Sequence, residues 1–142
     1  MAKKYLYFVF ITILLNVQFT TEGFAQCDST AAIASTFMGE DFVSDGQSYR
    51  ALIFDDQIAE FTTTLYGNST YRVVGIAGLE KEQLHFEVYD EDDNLLFSNA
   101  EYQNSAYWDF EVNSTLDCRI EAKLDLMKQK SGCAVLLIGF EQ

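Results

Sequence analysis

Between Cys118 and Leu126 the chain alternates without a break. Cys118, Ile120, Ala122, Leu124 and Leu126 stand on one side, and Arg119, Glu121, Lys123 and Asp125 on the other. Extended backbone sends successive side chains to opposite faces, so this pattern writes a strand with one buried and one wet face. Three more rows repeat it. Ala59, Phe61, Thr63 and Leu65 oppose Glu60, Thr62, Thr64 and Tyr66; Leu84, Phe86 and Val88 oppose His85, Glu87 and Tyr89; Trp108, Phe110 and Val112 oppose Tyr107, Asp109 and Glu111. Ala134 to Phe140 is almost wholly apolar, which suits a central strand covered on both faces. Weaker signals at Tyr49–Phe54, Tyr71–Ile76 and Leu95–Ser98 bring the expected total to about eight short strands. Asp45-Gly46, Gly67-Asn68, Gly78, Asp92-Asp93-Asn94, Asn113-Ser114 and Ser131-Gly132 supply the turn signals between them. The fold class this predicts is all-β: an antiparallel β-sandwich or jelly roll of about eight strands.

One short N-terminal helix is expected beside the sheets. Asp28 or Ser29 can cap it, Thr30 to Met38 is alanine-rich with Ile33 and Phe37 one turn apart, and Gly39 can take the left-handed position past its end. Such a helix packs on the domain or shields a sheet edge.

The first 25 residues have a different layout. Lys3 and Lys4 precede an apolar run from Tyr5 to Leu15, broken only by Thr12, and small residues stand at Gly23 and Ala25. That is the arrangement of a secretory signal peptide, and the run is too short to span a bilayer, which takes about 20 apolar residues. The expected organisation is therefore a signal peptide over 1–25 and a single domain over 26–142, secreted or periplasmic, with no membrane insertion after cleavage. Cleavage takes 25 of the 142 residues and leaves 117; 7 of the 9 basic and 21 of the 22 acidic residues remain, a net charge of −14. A surface of that sign repels nucleic acid and anionic lipid and favours basic proteins or divalent cations; the expected partner is a protein or a glycan. The chain has no proline, so charges rather than proline must guard its sheet edges.

Three cysteines stand at 27, 118 and 133. Export permits a disulfide, and an odd count leaves one thiol over. If the last two strands form a hairpin through a loop near Lys128, Leu126 faces Cys133 or its neighbour. Cys118 then lies roughly 26 Å away at about 3.3 Å per residue, beyond the reach of a disulfide. The expected bond joins Cys27 to Cys118 or to Cys133. Lipidation of Cys27 is the alternative, and Phe24-Ala25-Gln26 suits it poorly.

Candidate chemistry is sparse. His85 is the only histidine, and the strand phase turns it outward beside Glu87, with no nucleophile marked near it. One histidine and three scattered cysteines lack zinc-site spacing, and paired carboxylates mean little among so many acids. The sharpest local feature is Asp90-Glu91-Asp92-Asp93-Asn94. Asp90, Asp92 and Asn94 alternate as oxygen ligands do at the start of a calcium loop, although Asp and Asn equally suit a solvated hairpin turn. Outward tyrosines, Tyr66, Tyr89 and Tyr107, are the candidate ligand contacts, since exposed aromatic rings stack on sugars and anchor protein partners. Two glycosylation sequons, at Asn68 and Asn113, fall on expected turns.

Phe61-Thr62-Thr63-Thr64-Leu65-Tyr66-Gly67, Phe86-Glu87-Val88-Tyr89-Asp90, Asn94-Leu95-Leu96-Phe97 and Tyr107-Trp108-Asp109-Phe110 carry a resemblance over roughly Gln47 to Phe140. The region resembles small secreted bacterial β-sandwich proteins and, more loosely, the bacterial pre-peptidase C-terminal domain, a jelly-roll module. The resemblance implies a sandwich that binds or supports and does not catalyse. No protease domain accompanies it here. The expected function is a secreted, non-catalytic binding or interaction module for a protein, a glycan or the cell envelope. A small hydrolase and a structural or assembly subunit are the alternatives.

Overall fold

The computed structural model describes residues 22–79 and 83–142. The expected leader, with its apolar run Tyr5–Leu15, lies outside the described residues up to position 21. A helix α1 (Glu22–Thr36) precedes eight strands: β1 (Phe42–Phe54), β2 (Ile58–Leu65), β3 (Ser69–Ala77), β4 (Leu84–Asp90), β5 (Leu95–Ser98), β6 (Tyr107–Val112), β7 (Leu116–Leu124) and β8 (Ser131–Glu141). They form two four-stranded antiparallel sheets. The first has the order β1-β8-β3-β6 and the second β2-β7-β4-β5. Of the consecutive strand pairs, β4–β5 stays in one sheet and every other pair crosses between sheets. This is the jelly-roll form of the expected all-β sandwich.

The alternating rows set the interior. Phe86, Val88, Ile120, Ala122 and Leu124 from the second sheet meet Val73, Ala134, Leu136 and Ile138 from the first. Gly75 of β3 lies directly under Phe86. A Cβ there would stand 2.8 Å from the ring, so the close approach of the two sheets requires glycine. The other face of the first sheet is covered by α1 and the turn that follows it, which pack Ala34 and Met38 respectively on Val74, Val135 and Leu137. β8 is therefore buried on both faces, as its unbroken apolar run anticipates. The Arg72 guanidinium secures the far end of α1. It donates to the carbonyls of Phe37 and Met38 at 3.3 and 3.1 Å, pairs with Asp109 through two 2.7 Å bonds, and stacks on Phe42 and Tyr107. A cation there complements the negative end of the helix dipole.

Five local expectations are corrected. β7 and β8 do not form a hairpin: they belong to opposite sheets, and the loop between them crosses the sandwich. Leu126, expected in the buried row, lies past the strand end and is exposed. Asp45-Gly46 is not a turn but part of a bulge inside β1, between Ser44 and Ser48, where the left-handed φ of Gly46 (+83°) helps take up two extra residues. Ser131-Gly132 opens β8 rather than preceding it. The helix also begins earlier than the Asp28 or Ser29 cap signal, because α1 already runs through Gln26 and Cys27.

Candidate functional site

The two flanks of the sandwich differ. On one, β5 and β6 are the edge strands, and aromatic rings fill the gap between the sheets. Phe97 lies 5.1–5.6 Å from Phe86, Tyr102, Trp108 and Phe110, and Tyr102 lies 4.1 Å from Trp108. Asn99 completes the seal where β5 ends. It is fully buried, accepts the Phe86 N–H at 2.9 Å, and donates to the carbonyls of Leu84 and Ser105 at 2.9 and 3.1 Å.

The other flank stays open. β1 and β2 are its edges, joined by the short turn after Phe54 and held together near Tyr49, which meets Phe61 edge-on at 5.8 Å. Beyond that contact the strands diverge around a groove of about 710 Å³. Its walls are the β1 bulge with Asp45 and Gln47, and Thr62–Thr64 of β2. Its floor is the interior itself, Tyr71 and Ile138, with Tyr66 (65% exposed) and Phe140 (40% exposed) at the rim. Tyr71 Oη accepts the Tyr66 backbone N–H at 3.1 Å, which fixes the Tyr71 ring at one end. Apolar floor, aromatic rim and a few polar side chains are the usual make-up of a ligand groove.

A second hollow, of about 450 Å³, lies on the outer face of the second sheet and shares Thr62–Thr64 with the first. Asp90, Glu91, Asp93 and Asp117 line it around one cation, Arg119. Arg119 pairs with Asp93 at 2.6 Å and with Glu121, and lies 4.8 Å over the ring of Tyr89. Thr64 donates to Asp117. Beside it the register aligns Glu60, Glu121 and Glu87 across three strands. Like charges so aligned repel. Arg119 offsets this at Glu121, and at Glu87 Lys123 (3.9 Å) and the Tyr89 hydroxyl (2.9 Å) do so. The bond to Glu87 holds the Tyr89 hydroxyl above its usual pKa.

The candidate tyrosines do not share a face. Tyr107 lies on the outside of the first sheet, stacked on Arg72 and near Phe37. Tyr89 lies on the outside of the second, and Tyr66 sits at the groove rim. In the acidic loop, the Asp90 carboxylate closes the β4–β5 hairpin. It accepts the N–H groups of Asp92 and Asn94 at 2.9 and 2.8 Å and the Asn94 side-chain amide. Those bonds, the side-chain one foremost, hold its carboxyl below the usual range. Asp90 and Asn94 thus bind each other. Among the described residues no group of three or more His, Cys, Asp or Glu is placed to hold a metal.

His85 is half-buried on the outer face of β4 opposite Lys123 and lines neither hollow. Cys118 points inward on β7, five residue pairs along that ladder, which is about 16 Å, and on the opposite face of the sheet. They are not a nucleophile–base pair. Cys27 is bonded to Cys133, fastening α1 to the outer face of β8, while Cys118 is a buried free thiol. Burial, with Asp117 adding to it, pushes that thiol up to about 11. At pH 8 only about one molecule in a thousand then carries the thiolate. A thiol reagent is expected to find less than a tenth of an equivalent in the native protein and one equivalent after unfolding without reductant. A full equivalent in the native state would place Cys118 at the surface.

The groove-forming residues missed by the sequence reading are Tyr49 and Phe140, together with Asp45 and Gln47 on the bulge. Gly46 within an otherwise strand-like stretch was the available signal. No helix among the described residues is long and apolar enough to cross a membrane. The sequence matches no protein-family model, and no curated protein matches it.

Proposed function

We propose that the chain is an exported, non-catalytic binding module and that the groove between β1 and β2 receives its ligand. The observation that carries this reading is the asymmetry of the flanks: aromatic rings seal one, and the other carries a groove of about 710 Å³ with exposed Tyr66 and Phe140 at its rim above the buried Tyr71 and Ile138. The lone histidine lies away from that groove, and the residues lining it form no acid–base or nucleophile pair. The leader-like first 25 residues and the Cys27–Cys133 bond support an oxidising destination. The resemblance to the pre-peptidase C-terminal domain points to the same kind of role.

The test uses the full chain, expressed with its own N-terminal segment in a bacterium with an export pathway, then immobilised and exposed to envelope extract and medium. Wild type is expected to retain a ligand, and Tyr49→Ala with Tyr66→Ala to weaken retention about tenfold, or about 1.4 kcal/mol. Retention that ignores these substitutions overturns the reading, as does a substrate turnover that vanishes with His85→Ala.

One observation favours a second reading, an assembly subunit. Leu52, Phe54, Ile58, Leu79, Leu126 and Met127 are all exposed at one end of the sandwich. The loops there are tied together by Asp55 N–H to the Lys130 carbonyl (2.7 Å) and Asp125 N–H to the Gln83 carbonyl (2.9 Å). Apolar ends of this kind mark contact surfaces. Sedimentation of the purified chain separates the two readings, because only the second requires self-association.

A further inference from the structure

We propose that the partner is an extended protein segment of alternating basic and apolar residues that pairs, as an added strand, with the free edge of β2. This rests on the reading of the groove as a binding site and names the class of ligand it takes.

The four sheet edges are not equally open. β1 is interrupted by its bulge, β5 is four residues long, and β6 borders the aromatic seal. β2 runs eight residues in unbroken register with β7, from Ile58 opposite Lys123 to Leu65 opposite Leu116. Its other side pairs with no strand among the described residues. It contains no proline and one charge, Glu60. Natural edges normally carry more protection than this.

The surroundings of β2 then choose the partner. Thr62–Thr64 separate the two hollows, so an added strand would run along a ridge with a different environment on each side. Side chains of such a strand alternate between the faces. One set enters the groove between the sheets, over Tyr49, Tyr71 and Ile138, and is required to be apolar. The other set lies on the outer face beside Glu60 and within reach of Asp117, and is favoured to be basic. Main-chain bonds supply affinity in this mode and alternate side chains supply selectivity. A second copy of the chain is disfavoured at this edge, because each copy carries a net charge of −13 over its full length.

The experiment measures binding of the full chain to three labelled probes by fluorescence anisotropy: a lysine–valine alternating decapeptide, a block peptide of the same composition, and a glutamate–valine alternating decapeptide. The lysine–valine alternating probe is expected to bind about tenfold or more tighter than either control. Amide exchange at Thr62–Thr64 is expected to slow about tenfold in its complex. Glu60→Lys, alone and with Asp117→Lys, is expected to weaken binding progressively without lowering the melting temperature of the free chain. Equal binding of the block peptide overturns the proposal in favour of plain charge attraction. β2 amides already slowed in a free chain that sediments as a dimer overturn it in favour of self-pairing. If no peptide binds while envelope retention still depends on Tyr49 and Tyr66, strand pairing falls and the binding groove stands. If retention also ignores those tyrosines, both readings fall.

Discussion

Replacing Cys27 and Cys133 together with alanine is expected to cost about 4 kcal/mol, the largest loss available to any change of one covalent link in this chain. The bond closes a loop with a sequence separation of 106 residues. Cross-linking so long a loop removes much of the freedom of the unfolded chain, and the entropy estimate at that length is about 4.7 kcal/mol. The bond also holds α1 over Val74, Val135 and Leu137, which would otherwise expose an apolar sheet face. A fall in the melting temperature of roughly 12–16 °C follows at this chain length. Reduction of the wild type should reproduce it, and replacement of Cys118 should not. A drop of less than about 4 °C, roughly 1 kcal/mol, would show that α1 is held by packing alone.

The second large effect is expected at Asn99. Asn99→Ala strands the buried Phe86 N–H and withdraws the donor from the Leu84 and Ser105 carbonyls. Leaving such groups unsatisfied costs about 1–3 kcal/mol each where water is excluded, and about 3 kcal/mol in all if water reaches one of them. Asn99→Asp tests the chemistry further. It keeps the acceptor for Phe86 but sets a carboxylate against two carbonyl oxygens, so burial and repulsion raise its pKa in the folded state. A group raised on folding favours the native state at low pH and loses that contribution as pH rises through the folded value. The deficit of Asn99→Asp relative to wild type should therefore shrink from pH 7 to pH 4. A deficit independent of pH, or an alanine cost below about 1 kcal/mol, would mean that solvent enters behind β5.

How legible this architecture is depends on the kind of information each element carries. Period-two rows write the buried face directly, which is why Cys118, Ile120, Ala122 and Leu124, or Leu84, Phe86 and Val88, are found where their alternation points. The unbroken apolar run of β8 marks a strand covered twice, and α1 supplies the second cover. Pairing is another matter. A turn signal says that the chain reverses, not whether it returns within one sheet or crosses to the other, so the loop after Leu124 reads as a hairpin and is a crossover. Gly46 reads as a turn residue because the left-handed backbone it supplies serves a bulge equally well. The groove is the least legible feature. It arises where the edges of two different sheets part, and Thr62-Thr63-Thr64 carries too little hydrophobic contrast to announce a boundary.

The place of β8 in its sheet governs when the molecule can exist. β8 is the last of the eight strands to be synthesised, yet it lies between β1 and β3, which have no other means of joining. Until it is made, β1 has no partner strand and the first sheet is limited to the β3–β6 pair. Contacts between distant chain segments dominate, and such topologies form slowly. A nascent polypeptide of this design cannot close its first sheet, or complete the core between the two, until its eighth strand has been made.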